Sequence, residues 1–402
     1  MALLPVSEAL ERILKTARPA GIETVELSQA LGRISATDIK AKLNQPPFHA
    51  SAMDGYAVRC EDIAALPVTL TLVGTSSAGH GFKGIVRRGQ TARILTGAPL
   101  PKGADTVVIQ ENVSVVGKSI TVLETTALGR NIRVAGLDFA KGSLLIPQGT
   151  KLGARDLGLA AAGDHAMLRV RIKPRVAILA TGDELALPGN KRRPDQITSS
   201  NSFALAALAK TCGAEVIDLG IIRDDLKAIT LAVRRASKVD ILITTGGASV
   251  GDHDFVQAAL RAAGVKIGFW KIAMRPGKPF MFGTKAKLRV LGLPGNPVAA
   301  LVCAQLFLKP LIEKMLGMQP ESNPVFARAG AALAANDARQ DYLRAILTRA
   351  TDGAYIATPA DKQDSSMQRV MRQASCLIVR EPFESAAEIG ASLQIILFSE
   401  GA

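Results

Sequence analysis

Aromatic side chains are scarce in this 402-residue chain: Phe, Trp and Tyr together make up 4% of it, with a single Trp. Single-stranded nucleic acid is held by basic grooves interleaved with aromatic stacking platforms. The scarcity therefore argues against a nucleic-acid partner, in spite of a formal charge of +14. Cysteine is equally sparse. Cys60, Cys212, Cys303 and Cys376 stand far apart with no CxxC pair, which disfavours a zinc site or a disulfide framework. The histidines are scattered too, and only His253 lies in a suggestive loop. Long apolar runs are missing. The longest, Pro297 to Leu308, contains Gln305 and stops at Lys309, well short of the roughly 18 residues that a membrane span requires. Near the N-terminus Val6, Ala9, Leu10, Ile13 and Leu14 share one face of an expected amphipathic helix, with no basic leader or cleavage site. The expectation is a cytoplasmic protein with no membrane partner.

Apolar residues are plentiful at 48%, and charged residues make up 21%. A chain of this length and composition builds several globular domains with cores of their own. The basic surplus is spread along the chain rather than clustered, which suits a small polyanion better than a polymer.

The region from Pro174 to Gly317 alternates strand and helix. Val176–Thr181, Val216–Leu219, Asp240–Thr245, Val265–Trp270 and Leu288–Leu293 read as strands. Helices are expected from Asn201 to Thr211, after a cap at Asp224 or Asp225, from Phe255 to Ala263, and from Pro297, with Asn296 as its cap. This predicts an α/β domain around a mostly parallel sheet. Such sheets bind ligands beyond the carboxyl ends of their strands, where Thr181–Glu184, Asp224, Gly246–Asp254 and Pro294–Pro297 fall. Residues 46–138 are β-rich, with Val68, Leu70 and Leu72 alternating with threonines and further strands at Val107–Ile109 and Ile120–Leu123. Residues 139–173 are mixed. After Pro320, strands at Tyr342–Leu347, Ala354–Thr358, Cys376–Arg380 and Leu393–Phe398 predict a small C-terminal β-domain.

Several segments invite chemistry, each with a plainer reading beside it. Gly246-Gly247-Ala248-Ser249-Val250-Gly251 follows a strand and precedes a helix, so its backbone amides can approach an anion; a structural turn would look the same. Asp252 and Asp254 add carboxylates suited to a bridging metal ion. Lys271, Arg275 and Lys278 surround a Pro-Gly-Lys-Pro stretch that can hold cations for an oxyanion, or can simply be solvated. Glu184 and Asp224 end strands, and Asp224 competes for the role of helix cap. A turn alone explains Ser51–Ala57 and Thr96–Pro99.

In order along the chain, PPFHASAMDGYAVR (from Pro46), ILTGAPLP (from Ile94), ATGDEL (from Ala180), LGIIRDD (from Leu219), TGGASVG (from Thr245), KIAMRPGKP (from Lys271) and LPGNP (from Leu293) resemble the MoeA-type molybdopterin molybdenumtransferases. The E domain of gephyrin belongs to the same family. The resemblance spans essentially the whole chain. It implies a multidomain α/β-plus-β protein. Domain I comprises residues 1–45 and 139–173, and domain II is the β-rich insertion 46–138. Domain III, 174–320, is of the molybdopterin-binding type, and domain IV, 321–402, is a C-terminal β-barrel. It implies an elongated homodimer, in which domain II of one subunit faces domain III of the other. The reaction it implies converts adenylylated molybdopterin and molybdate to molybdenum cofactor and AMP, with Mg²⁺.

The family's acidic positions fall on Asp54, Glu184, Asp224 and Asp254, its hydroxyl position on Thr96, and its basic positions on Arg133, Lys271, Arg275 and Lys278. The resemblance thus implies Mg²⁺ on the four carboxylates and molybdate on the four cations. It places the pterin phosphate or adenylate on Thr181, Gly182, Gly246, Gly247, Ser249, Gly251, Pro294, Gly295 and Asn296. Several relatives carry Lys in place of Arg275, and Gln363-Asp364-Ser365 stands where many have Gln-Gly-Ser. Molybdopterin adenylyltransferases and nucleotide-cleaving enzymes built on the same α/β domain lack the segments around Asp54 and Thr96. A pure scaffold would not need all four acidic positions. A supplying adenylyltransferase and recipient molybdoenzymes are the further partners implied.

Overall fold

A computed structural model describes residues 3–246, 255–318 and 324–398. Within these, the chain forms two compact units, residues 24–170 and residues 3–23 with 171–398. No helix among the described residues is long and apolar enough to cross a membrane.

The unit 24–170 holds a six-stranded sheet in the order Thr106–Ile109, Gly55–Val58, Gln90–Ile94, Val68–Ser76, Ser119–Val122, Val113–Val116. Alternation sets its register: Leu70 is buried, while Thr69 points outward and meets Thr121 across the pair, Oγ1 to Oγ1 at 3.0 Å. The core is Tyr56, Val58, Ile63, Leu70, Val108, Ile120 and Val122. A second core gathers Val25, Ala30, Ile39, Ile146, Leu152, Ala160, Leu168 and Val170, from both sides of the β-rich insertion.

The other unit contains the expected α/β domain. Its sheet runs Glu215–Ile222, Arg175–Thr181, Ile241–Thr245, Leu288–Leu293, Met281–Lys285, Lys266–Phe269. The first four are mutually parallel, and Met281–Lys285 is antiparallel to both of its neighbours. Strand Arg175–Thr181 is buried on both faces from Val176 onward, which is why it reads as a continuous apolar run rather than an alternating one. Helices Leu226–Arg235 and Phe255–Ala262 lay Ile229, Val233, Val256 and Leu260 on Leu179, Leu242 and Val290. The apolar run after Pro297 is a buried helical segment, with Val302, Phe307 and Leu308 inaccessible to solvent.

The C-terminal strands close into a barrel. Gln340–Arg349 pairs with both Tyr355–Pro359 and Cys376–Arg380, and the ring continues through Val325–Ala329 and Ser392–Leu397. Its interior is narrow enough to be filled largely by alanines, Ala327, Ala329, Ala345 and Ala357, with Cys376, Ile378, Leu393 and Ile395. Met274–Arg275, which belongs by sequence to the α/β domain, adds to this sheet alongside Gln340 and Asp341.

Candidate functional site

The carboxyl ends of the four parallel strands lie level. Thr181 pairs with Ile222, Ala180 with Thr245, and Thr245 with Leu293. The turns that follow each strand therefore emerge side by side. Gly246 has φ +92° and lies so close to strand Arg175–Thr181 that a Cβ there would sit 2.2 Å from the Thr181 carbonyl oxygen. A Cβ on Gly295 would meet the Gly246 Cα at 3.7 Å. Only small residues let these three backbones approach one another, and the result is a shelf edged by main-chain groups. Asn201 ties it together by donating from Nδ2 to Thr245 Oγ1 at 2.9 Å and to the Gly295 carbonyl at 2.8 Å. The Thr181 hydroxyl is buried there with no hydrogen-bond partner among the described residues.

Carboxylates flank the shelf. The ambiguity over the helix cap resolves in favour of Asp225, whose side chain accepts from the Ala228 amide at 2.7 Å. Asp224 is thereby left free of that duty. Its carboxyl is held above the usual range, first by desolvation and then by the like charges of Glu184 and Asp183. A Cβ on Gly182 would strike the Glu184 carboxylate at 2.5 Å, so the Gly at 182 lets that side chain fold back over its own turn. Among the described residues no three His, Cys, Asp or Glu side chains converge into a metal-binding group. The donors present are hard oxygens carrying unneutralised negative charge. That suits a divalent ion such as Mg²⁺, which keeps several of its waters and asks for only one or two carboxylates. Gly247, Ser249, Gly251 and Asp254 lie outside the described residues.

Pro294 is buried, Asn296 occupies the cap position and Pro297 opens the helix. The Asn296 side chain does not cap. Its Nδ2 donates instead to Ser365 Oγ of the barrel at 2.8 Å, and the Val298 amide donates to the Ser365 carbonyl at 3.0 Å. Gln368, first residue of the helix that follows this loop, donates to Ser200 Oγ at 2.6 Å. The barrel loop thus reaches the start of two helices of the α/β domain.

The basic segment is held on both sides. Leu4 and Ile272 form a parallel bridge, and the Ala273 amide donates to the Leu4 carbonyl at 2.8 Å. On the opposite side the Gln340 amide donates to the Ala273 carbonyl at 2.9 Å. Pro276 and Gly277 are buried, while Lys278 is exposed and Lys271 stacks its ammonium over the Trp270 ring at 4.7 Å. Each of the three guanidinium nitrogens of Arg275 donates to a carboxylate, although the side chain remains half-exposed. Its Nε and Nη2 both donate to Asp341 Oδ2, and Nη1 donates to Asp337 Oδ2 at 3.4 Å.

In the unit 24–170, Asp54 accepts from the Thr96 amide at 2.7 Å and from Thr96 Oγ1 at 2.8 Å. These bonds, the backbone one foremost, hold its carboxyl below the usual range. Arg133 pairs with Ala50 on a short strand whose neighbouring residue, Ser51, bonds through its backbone to Gly97 and Ala98. Arg133, Asp54 and Thr96 therefore stand on adjoining strand ends and turns, all exposed. Sequence reading missed Asn201 as a brace, Ser365 as a partner of Asn296, and Asp337 and Asp341 as partners of Arg275. Each depends on a contact more than 60 residues away in the chain, with no local signal.

Three family descriptions match in succession: MoeA N-terminal region (domain I and II) over residues 4–163, probable molybdopterin binding domain over 177–314, and MoeA C-terminal region (domain IV) over 327–398. A molybdopterin molybdenumtransferase of Nostoc sp. is 40% identical over 354 residues, covering 86% of this chain and 81% of that one. The Haemophilus influenzae protein of the same name is 35% identical over 402 residues, 99% of each. A crystal structure of the molybdopterin biosynthesis MoeA protein from Pyrococcus horikosii superimposes with a TM-score of 0.88 at 30% identity, covering both chains completely. With the strand-end shelf, the closed barrel and the Asp54–Thr96 turn all in place, the chain belongs to the MoeA family of molybdopterin molybdenumtransferases, enzymes of molybdenum cofactor biosynthesis.

Proposed function

We propose that the enzyme inserts molybdate into adenylylated molybdopterin in a Mg²⁺-dependent reaction that releases AMP. The observation that supports this most is the state of Asp224. It is a carboxylate at a strand end, relieved of capping by Asp225 and repelled by Glu184 and Asp183. Like charges gathered at a strand end, eased at Asp224 only by a main-chain hydrogen bond from Asp183, favour a cation there. Glu184 and Asp224, with Asp254 and Asp54, would hold Mg²⁺. When bound, the ion polarises the adenylate phosphate and offsets charge on departing AMP.

The chain's own groups do the rest. Main-chain amides at Gly246, Gly247, Gly251 and Gly295, with Thr181, Gly182, Ser249, Pro294 and Asn296, cradle the pterin phosphate and the adenylate at the start of helices. The Thr181 hydroxyl, buried without a partner among the described residues, is a donor waiting for such an oxygen. Lys271, Lys278 and Arg133 hold molybdate, a tetrahedral dianion, as a substrate, with Arg275 on the same segment. Asp54 stays ionised and orients the Thr96 hydroxyl by accepting its hydrogen bond. The reading includes a homodimer in the cytoplasm, a supplying adenylyltransferase, and recipient molybdoenzymes for the product. The test supplies purified protein with adenylylated molybdopterin, molybdate and Mg²⁺. AMP is measured by chromatography, and active cofactor by reconstitution of a cofactor-free molybdoenzyme. AMP no faster than in the enzyme-free control, with the protein folded, refutes the proposal.

A further inference from the structure

Arg275 sits among the cations for which an oxyanion role is the obvious reading, yet its surroundings do not fit one. The guanidinium forks onto Oδ2 of Asp341, a side chain only 5% exposed, and reaches Asp337 with its remaining nitrogen at 3.4 Å. Asp337 is in turn bonded by Arg339, from the backbone amide at 2.8 Å and from Nη2 at 2.8 Å, and these bonds with Arg275 hold its carboxyl at about 2. The charge of each of these two arginines is thus already met by a carboxylate. A dianion placed on Arg275 would lie against Asp337 and Asp341, and their repulsion would oppose the attraction. Among the described residues neither Lys278 nor Lys271 has a carboxylate within ion-pair distance, and the Lys271 ammonium lies over the Trp270 ring.

We infer that Arg275 is a positioning residue: through Asp341 it fastens the segment Lys271–Lys278 to the barrel, and that attachment sets where Lys271 and Lys278 present their charges. The backbone agrees with the side chains. Met274 and Arg275 pair in parallel with Gln340 and Asp341, so the fork forms between residues directly opposite one another in a sheet. The turn beyond is equally fixed. The Ile272 amide donates to the Lys278 carbonyl at 3.2 Å, and Gly277 packs so closely on Cys303 that a Cβ there would stand 2.6 Å from the sulfur. Lys278 therefore cannot compensate for a shift of Arg275 by moving alone. The barrel acquires a task in the reaction without supplying a ligand.

This inference rests on the molybdate reading above, and its test separates the two. Arg275→Ala, Asp341→Asn and the double variant are compared for KM of molybdate, kcat, and amide hydrogen exchange over residues 271–280. Positioning predicts that both single variants raise the KM for molybdate by a similar factor, about 10- to 100-fold, more than they lower kcat. It predicts that the double variant is no worse than either single one, and that exchange at Ala273 and Ile272 rises in all three. Arg275→Lys, which keeps a charge for Asp341, restores most of the KM. If Asp341→Asn leaves the KM unchanged or lowers it while Arg275→Ala raises it, Arg275 is a direct ligand and the inference is wrong. If both variants melt earlier but keep the parent KM, the contact only holds the fold together and the inference is equally wrong. Failure of the parent protein to use molybdate at all would defeat the functional reading, and the exchange data would still judge the attachment.

Discussion

Replacing Gly246 with Ala is a sharp test of the shelf, because two separate costs can be read from the structure. The backbone at 246 has φ +92°, a conformation that an L side chain rarely adopts. Holding a non-Gly residue there costs about 1–3 kcal/mol. The new methyl would also stand 2.2 Å from the Thr181 carbonyl and 3.2 Å from its Oγ1. The carbonyl is backbone of a buried central strand and cannot swing aside, so the strands must part, at a cost of about 1–3 kcal/mol as in other overpacked cores. The sum is about 2–6 kcal/mol. Gly189 provides the control: its φ is +81°, it lies in the same unit, and nothing stands within 4 Å of its missing Cβ. Gly189→Ala bears the first cost alone. Thermal unfolding followed by calorimetry should show Gly246→Ala melting well below Gly189→Ala, by about 2–4 °C for each kcal/mol of difference. Equal melting temperatures for the two variants would refute the claim that close backbone approach is what requires glycine at 246.

Asp224→Asn separates function from stability. The folded pKa is raised above the unfolded value, so stability falls as pH climbs from the usual Asp range of about 4 through the raised value. The variant should melt above the parent at neutral pH, match it at acid pH, and fail to release AMP; a variant no more stable than the parent at neutral pH would contradict the repulsion argument. Asp225→Ala should do the reverse, losing about 0.5–2 kcal/mol with the cap while keeping AMP release, as denaturant titration and the AMP assay can check. Mixing inactive Asp54→Ala and Asp254→Ala proteins should restore activity if each site draws on two subunits. No recovery after subunit exchange, verified by mass, would refute a site shared between two subunits.

Much of the α/β domain was legible because buried parallel strands and amphipathic helices write themselves locally. The run Leu288–Leu293 and the helix Asn201–Thr211 fall where the apolar pattern puts them. Gly55–Val58 and Met281–Lys285 were not individually legible, since their small residues and glycines neither alternate nor form a run; at Gly55 the reason is a Val108 carbonyl only 2.0 Å from where a Cβ would be. Adjacent Asp224 and Asp225 are equally good caps by residue type, and the choice is made by geometry: Asp225 has the extended backbone, φ −126° and ψ 125°, that points its side chain at the Ala228 amide. Asp54 and Thr96 look like two unrelated turns in sequence and become one hydrogen-bonded unit only when residues 42 apart are brought together.

The barrel holds the α/β domain at two places. One is the basic segment, gripped through Asp341 and Gln340; the other is the helix start after Pro294, gripped through Ser365 and Gln368 acting on Asn296 and Ser200. Asp364 accepts from the Ser366 amide at 2.8 Å and hydroxyl at 2.5 Å, closing the loop on itself. A carboxylate at 364 is therefore spent on the local turn and does not disturb the Ser365 contact. Residues 364 and 275 thus bear on the same question, how rigidly the barrel presents the two segments.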